Sequence, residues 1–174
     1  MLKKTFTITI YFENSSGLLL KIITIFSRRR IDIGSLNVAA SEVEGIHRFT
    51  SVFNETLELI RKLSMQIDKQ VGVFKTFFQA DEEIVALEQT LFKVNSTMEA
   101  MQKVLESTVV RCISAHHNYT VLAATCSAET NNAIAAALMP FGILEITKSG
   151  RVAIINAGLE IHQRLKQIAP LNFI

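Results

Sequence analysis

TFTITIYFENSSGLLLKIITIFSRRRIDI, running from Thr5 to Ile33, changes its hydrophobic period twice. Thr5 to Phe12 alternates polar and apolar, the period-2 pattern of a half-buried strand. Phe6, Ile8, Ile10 and Phe12 turn inward, with Thr5, Thr7, Thr9 and Tyr11 on the other face. From Leu18 the period becomes helical, and Leu18, Leu19, Ile22, Ile23 and Phe26 form one stripe. Arg28, Arg29 and Arg30 fit its last turn, where cations suit the helix dipole. Ile31 to Ala40 then reads as a second strand.

Working outward, the turn Glu42–Gly45 leads into an alternating strand from Ile46 to Phe53, completing a hairpin. Asn54–Glu55–Thr56 caps a helix whose buried stripe is Leu57, Ile60, Leu63, Ser64 and Ile67, and Val71 to Gln79 is a fourth strand. The order β-α-β-β-α-β is the ferredoxin-like, split-βαβ unit. It then repeats. Ile84 to Val94 is a strand, and Asn95–Ser96–Thr97 opens a helix with Met98, Met101, Val104 and Leu105 on its face. Val109–Ala115 and Tyr119–Ala124 form a hairpin joined at His116–His117–Asn118. Ser127 starts an alanine-rich helix ended by Pro140–Phe141–Gly142, and Ile143 to Lys148 is the last strand. The expected fold is therefore α+β, two tandem ferredoxin-like βαββαβ domains over 1–80 and 81–155, divided at Asp81–Glu82–Glu83. The tail 156–174 carries Leu159, Leu165 and Ile168 before Pro170, in the spacing of a short amphipathic helix.

The 174 residues are 49 % hydrophobic and carry a formal charge of +2, which argues against a dedicated nucleic-acid or membrane-surface protein. No apolar run reaches the roughly 20 residues needed to span a bilayer. Lys3 and Lys4 lead into an alternating strand, not a signal-peptide apolar core. Cys112 and Cys126 are lone thiols without CxxC spacing. A reduced, cytoplasmic protein is expected.

Catalytic chemistry finds no residues to rest on. His116 and His117 are adjacent and so point to opposite faces if extended, with no Cys or carboxylate beside them to complete a metal shell. Cys112 lies in a strand as a small core residue, and no GxSxG, Walker A or GxGxxG pattern occurs. An RNA-recognition module shares the βαββαβ order, but it needs exposed aromatics on its first and third strands. Tyr11, Phe49 and Phe53 stand on those strands, yet GIHRFTSVF lacks that motif's glycine–aromatic spacing.

The helix entrance has two readings. Either Asn14, Ser15 and Ser16 cap an ordinary helix while Gly17 relaxes a turn, or the backbone N–H groups there bind a carboxylate. Gly17 lacks a Cβ and lets the backbone approach a ligand closely, and Asn14 offers both donor and acceptor. Asp32, beyond the far end of the helix, reaches that entrance only from a second copy of the chain, where it would suit an ammonium. An amino acid presents both charges.

Thr7 to Phe53 resembles the ACT domain of the acetolactate synthase (acetohydroxyacid synthase) small regulatory subunit family. The matching residues are Glu13–Asn14, Gly17–Leu18, Phe26–Ser27–Arg28–Arg29, Ile33-x-Ser35–Leu36 with Val38–Ala39, and His47–Arg48–Phe49–Thr50. The second half is similar to that family's C-terminal ferredoxin-like domain in order and length, and Glu145–Ile146-x-x-Ser149–Gly150 recurs. The resemblance implies a non-catalytic subunit, dimeric through its ACT domains. It would activate a thiamine-diphosphate-dependent catalytic subunit and make it sensitive to valine or another branched-chain amino acid. Thiamine diphosphate, magnesium and FAD would belong to that partner, and none to this chain. The implied effector residues are Asn14, Gly17 and Asp32, with backbone near Leu18 and Ala39. Three residues depart from the family pattern: Ser16 replaces a proline, Arg30 a glycine suited to left-handed backbone, and Asp32 an asparagine. The alternative is a free-standing amino-acid-sensing ACT protein with another target.

Overall fold

Lys4–Glu13 (β1) sits at the centre of a four-stranded antiparallel sheet in a computed structural model that describes residues 2–156. By contacts the chain divides into two compact units, one reaching to Val85 and rejoined from Ala153, the other Ala86–Val152. In the first, β1 lies between β3 (Ile46–Glu55) and β4 (Val73–Ala80), and β2 (Ser35–Ala40) is the edge beside β3. Phe6, Ile8, Ile10 and Phe12 meet α1 (Leu18–Arg28) and α2 (Leu57–Asp68) in one core. Phe26 fixes that layer, with its ring 5.8 Å from Phe49 and 4.9 Å from Phe53. Each such buried side chain contributes about 1.5–3 kcal/mol.

The stripes shift slightly from the periodicity. Ile25 is buried alongside Leu18, Ile22 and Phe26, and Ile23 is only partly covered. Leu57, in the first turn of α2, is 49 % exposed because the core contacts begin one turn later at Ile60. Thr56 caps α2 by accepting a hydrogen bond from the Leu59 N–H at 3.4 Å. The outer face of β1 is not solvated as alternation suggests. Tyr11 joins Val43 and Ile46, meets Phe77 edge-on at 6.2 Å, and donates from its hydroxyl to Glu42.

The second strand begins at Ser35, not Ile31. Ile31 closes the end of α1, donating its N–H to Phe26 and burying its side chain in the core, so residues 31–34 cross to the sheet edge. Asp32 therefore stands on a loop.

The second unit repeats the plan with β5 (Ile84–Val94), α3 (Met98–Ser107), β6 (Val110–Ala115), β7 (Thr120–Cys126), α4 (Ala128–Leu138) and β8 (Ile143–Lys148). Strand order is β6-β7-β5-β8, and β9 (Val152–Ile155), which periodicity did not predict, also pairs with β5. Phe92, Val94, Met101, Leu122, Ile134 and Leu138 form its core, while Met98 on α3 faces outward. Ser127 caps α4 through the Thr130 N–H at 3.2 Å, and Gly142 at φ 79° follows the short 3-10 turn that ends it. The amphipathic pattern of Leu159, Leu165 and Ile168 lies outside the described residues. Among the described residues no helix is long and apolar enough to cross a membrane.

Candidate functional site

β1 ends at Glu13, and the chain turns back through four exposed residues, Asn14 to Gly17, before α1. The turn is tied by backbone hydrogen bonds from Asn14 to Gly45 (3.3 Å), Ser15 to Glu13 (2.7 Å) and Leu18 to Ser15 (3.3 Å). Gly17 occupies the N-cap at φ 83°, a left-handed conformation that favours glycine, and its carbonyl accepts the first helical bond from Lys21 at 3.1 Å. No side chain caps α1, and its first turn holds no acidic residue. Side-chain caps are present on α2 and α4, whereas neither α1 nor α3 carries one. The positive end of the α1 dipole stays open to solvent. A Cβ on Gly17 would meet nothing within 4 Å, so space lies beyond the backbone here.

Leu18 turns its side chain inward, away from the entrance. Its side chain is 2 % exposed and rests on Gly72, where a Cβ would come to 2.8 Å from Leu18 Cδ2. Gly72 (φ 88°) also accepts the Glu13 N–H at 2.8 Å, so it holds the floor of the turn.

Ala39 and Ala40 end the edge strand, exposed. Register places Ala40 beside His47 and His47 beside Phe12; Ala39 is beside Arg48 and Arg48 beside Tyr11. The exposed end of β2 thus lies at the same end of the sheet as Asn14, about 10 Å away across two strand spacings. His47, not singled out as a site residue from sequence, belongs to this end. Its Nδ1 is buried without a hydrogen-bond partner among the described residues, and its ring lies 5.9 Å from Phe12. Only its register opposite Ala40 marks it, and register is a property of the folded sheet.

Asp32 is exposed at the opposite end of α1, an 11-residue helix about 16 Å long. Within one chain the structure gathers Asn14, Gly17, the Leu18 backbone and Ala39 toward one end, and leaves Asp32 at the other. The arginines form a helix end: Arg29 donates from Nε and Nη2 to Gln66 Oε1 at 2.9 and 2.6 Å, and Arg30 takes φ 52°.

His116 stacks on Tyr119 at 4.4 Å in the β6–β7 turn. Among the described residues no group of three His, Cys, Asp or Glu is placed to hold a metal ion.

Residues 87–157 match the family model described as the small subunit of acetolactate synthase. The chain is 31 % identical over 157 residues to an acetolactate synthase small subunit from Mycobacterium bovis, covering 88 % of this chain and 94 % of that one. It is 29 % identical over 156 residues to the acetolactate synthase small subunit of Bacillus subtilis, covering 87 % and 90 %. The crystal structure of the acetolactate synthase small subunit from Thermotoga maritima superposes with a TM-score of 0.81 at 22 % identity, over 90 % of this chain and 99 % of that one. That likeness carries the fold, two successive βαββαβ units.

Proposed function

This chain belongs to the family of acetolactate synthase small subunits, the regulatory partners of a separate catalytic subunit, and from that membership we propose that it activates its catalytic subunit and confers feedback inhibition by an amino acid. The effector is a branched-chain amino acid such as valine, held between the first units of two copies. Its carboxylate lies at the open N-terminus of α1, against the Leu19 and Leu20 end of the first turn, with Asn14 beside it. Thiamine diphosphate, magnesium and FAD stay with the catalytic partner, and the complex works in the cytoplasm.

The observation that carries this reading is the uncapped, exposed start of α1 at Gly17, on the same end of the sheet as Ala39 and Ala40. β2 is an edge strand with Leu36 and Val38 exposed. Antiparallel pairing of two such edges, an isologous contact, sets the Asp32 end of one copy beside the Asn14 end of the other. Asp32 then offers a carboxylate to the effector's ammonium while the helix start takes its carboxylate. A few charge-assisted hydrogen bonds at about 1.5–3 kcal/mol each supply the roughly 4–8 kcal/mol of millimolar to micromolar binding.

The test is calorimetric titration of the purified chain with valine, leucine and isoleucine. Binding of at least one, lost in Gly17→Val, supports the site. No heat and no thermal stabilisation with any of the three would remove the effector from the account while leaving family membership intact.

A further inference from the structure

Alternation along GIHRFTSVF puts Phe49 and Phe53 in the core with the helices, and Arg48, Thr50 and Val52 on the other face of the sheet. An arginine on such a face normally reaches water. Arg48 is only partly exposed, and its Nε is buried with no hydrogen-bond partner among the described residues. Its Nη2 donates to the backbone carbonyl of Ala153, 105 residues along the chain, and its Cζ lies 5.8 Å from the centre of the Tyr11 ring. Ala153 is buried and belongs to β9, where the chain rejoins the first unit.

A guanidinium with one buried donor unmet and a neutral carbonyl for a partner adds little stability; an uncharged side chain of similar length fills the same space without that cost. What the charge supplies is a directed grip on one carbonyl. Register shows what that grip is connected to. Arg48 lies between Ala39 of β2 and Tyr11 of β1. β2 ends one residue later at Ala40, and β1 runs on through Glu13 into the Asn14–Gly17 turn. The Tyr11 hydroxyl is tied to Glu42 in the connection between β2 and β3. Arg48 is therefore bracketed by the two strand ends that frame the proposed effector site. Beyond Ala153, β9 pairs with β5, and Asn156 donates its N–H to Glu83 at 2.9 Å.

Resting on the effector reading above, we propose that Arg48 is a positioning residue that reports occupancy of the effector site to β9. A ligand that fixes the ends of β1 and β2 also fixes the Tyr11 ring and the Ala39 backbone on either side of Arg48. The guanidinium passes that constraint to the Ala153 carbonyl. Because Nε is unmet, the grip is short of full pairing, and a small shift of either neighbour changes how firmly β9 is held. Coupling of this kind acts through ordering and requires no large displacement.

Amide hydrogen exchange of the full-length chain tests this, read at Val152–Ile155 with Phe6–Phe12 of β1 as internal reference. In the parent, exchange in β9 should slow when valine, leucine or isoleucine binds. Arg48→Met keeps the length and removes the donor; β9 should exchange about tenfold faster, the loss of one charge-assisted bond, and should no longer respond to the amino acid. Arg48→Lys keeps a donor for a single carbonyl and should return both properties toward the parent. Calorimetric affinity for the amino acid should stay within about twofold in both variants, while the factor by which saturating amino acid lowers activity of the reconstituted complex should shrink about fivefold in Arg48→Met. Unchanged β9 exchange in Arg48→Met, or inhibition equal to that of the parent, overturns the proposal and leaves the effector site standing. Affinity lost together with inhibition also overturns it, and makes Arg48 a support of the site itself. A parent chain that binds none of the three amino acids overturns both this proposal and the effector reading.

Discussion

Ile31 donates its backbone N–H to the carbonyl of Phe26 at 3.3 Å, closing α1 over Arg30, which stands at φ 52° and donates to Ser27 at 2.9 Å. These two bonds, with Ile31 packed into the same core as Phe26, make a Schellman closure whose left-handed position usually holds glycine. A side chain there costs about 1–2 kcal/mol, part of which glycine's larger unfolded-state freedom cancels. Arg30→Gly should therefore stabilise the first unit by about 1 kcal/mol and raise its melting temperature by about 2–4 °C. A melting temperature at or below that of the parent would show that the position carries no strain.

Gly72 and Gly17 both have positive φ, but only Gly72 is crowded. Gly72→Ala should push Leu18 out of place and cost more than the ~1 kcal/mol of backbone strain alone, because the displaced side chain belongs to the core. Gly17→Ala should cost only that strain while placing a methyl group in the open entrance. Urea denaturation of the two variants checks the order, and equal destabilisation would refute the packing argument.

Most of the fold was legible because the hydrophobic period changes cleanly, from 2 in Thr5–Phe12 to 3.6 after Leu18, and because Thr56, Thr97 and Ser127 stand at helix starts. What was not legible depended on closure. Ile31 looks like the first residue of a strand, but the turn at Arg30 draws it into the core, which moves the strand start to Ser35. β9 is four residues long and makes sense only once β5 is present to pair with it. For the site, the glycine at the helix entrance was visible as a letter. The absence of a side-chain cap, the support from Gly72 and the register of His47 opposite Ala40 are geometric and leave no local sequence signal.

Burial pushes the Cys126 thiol above its ordinary value, and the nearby carboxylate of Glu88 pushes the same way. The unfolded chain therefore loses this proton at lower pH than the folded one. Stability from the protonated thiol is complete below the unfolded value and is lost as pH rises through the folded value. Denaturation at neutral pH and at about pH 10 should show the stability gap between the parent and Cys126→Ala narrowing on the alkaline side. A constant gap would contradict the direction of the shift.

Asp32→Asn removes one charge from an exposed loop and should leave the fold unchanged. If Asp32 faces the effector's ammonium across the dimer, the concentration of amino acid needed for half-inhibition should rise about tenfold, the loss of one charged hydrogen bond. Activation in the absence of effector should be unaffected. An unaltered half-inhibition concentration would take Asp32 out of the site.

Regulation of a separate enzyme through the open end of α1 is tested most directly on the reconstituted complex. Acetolactate formation by the cognate catalytic subunit should be measured with and without this chain while valine, leucine and isoleucine are titrated in turn. Activity should rise when the chain is added and fall with at least one of the three, the fall being abolished in Gly17→Val. A complex that forms and is activated, yet ignores all three amino acids, would contradict it.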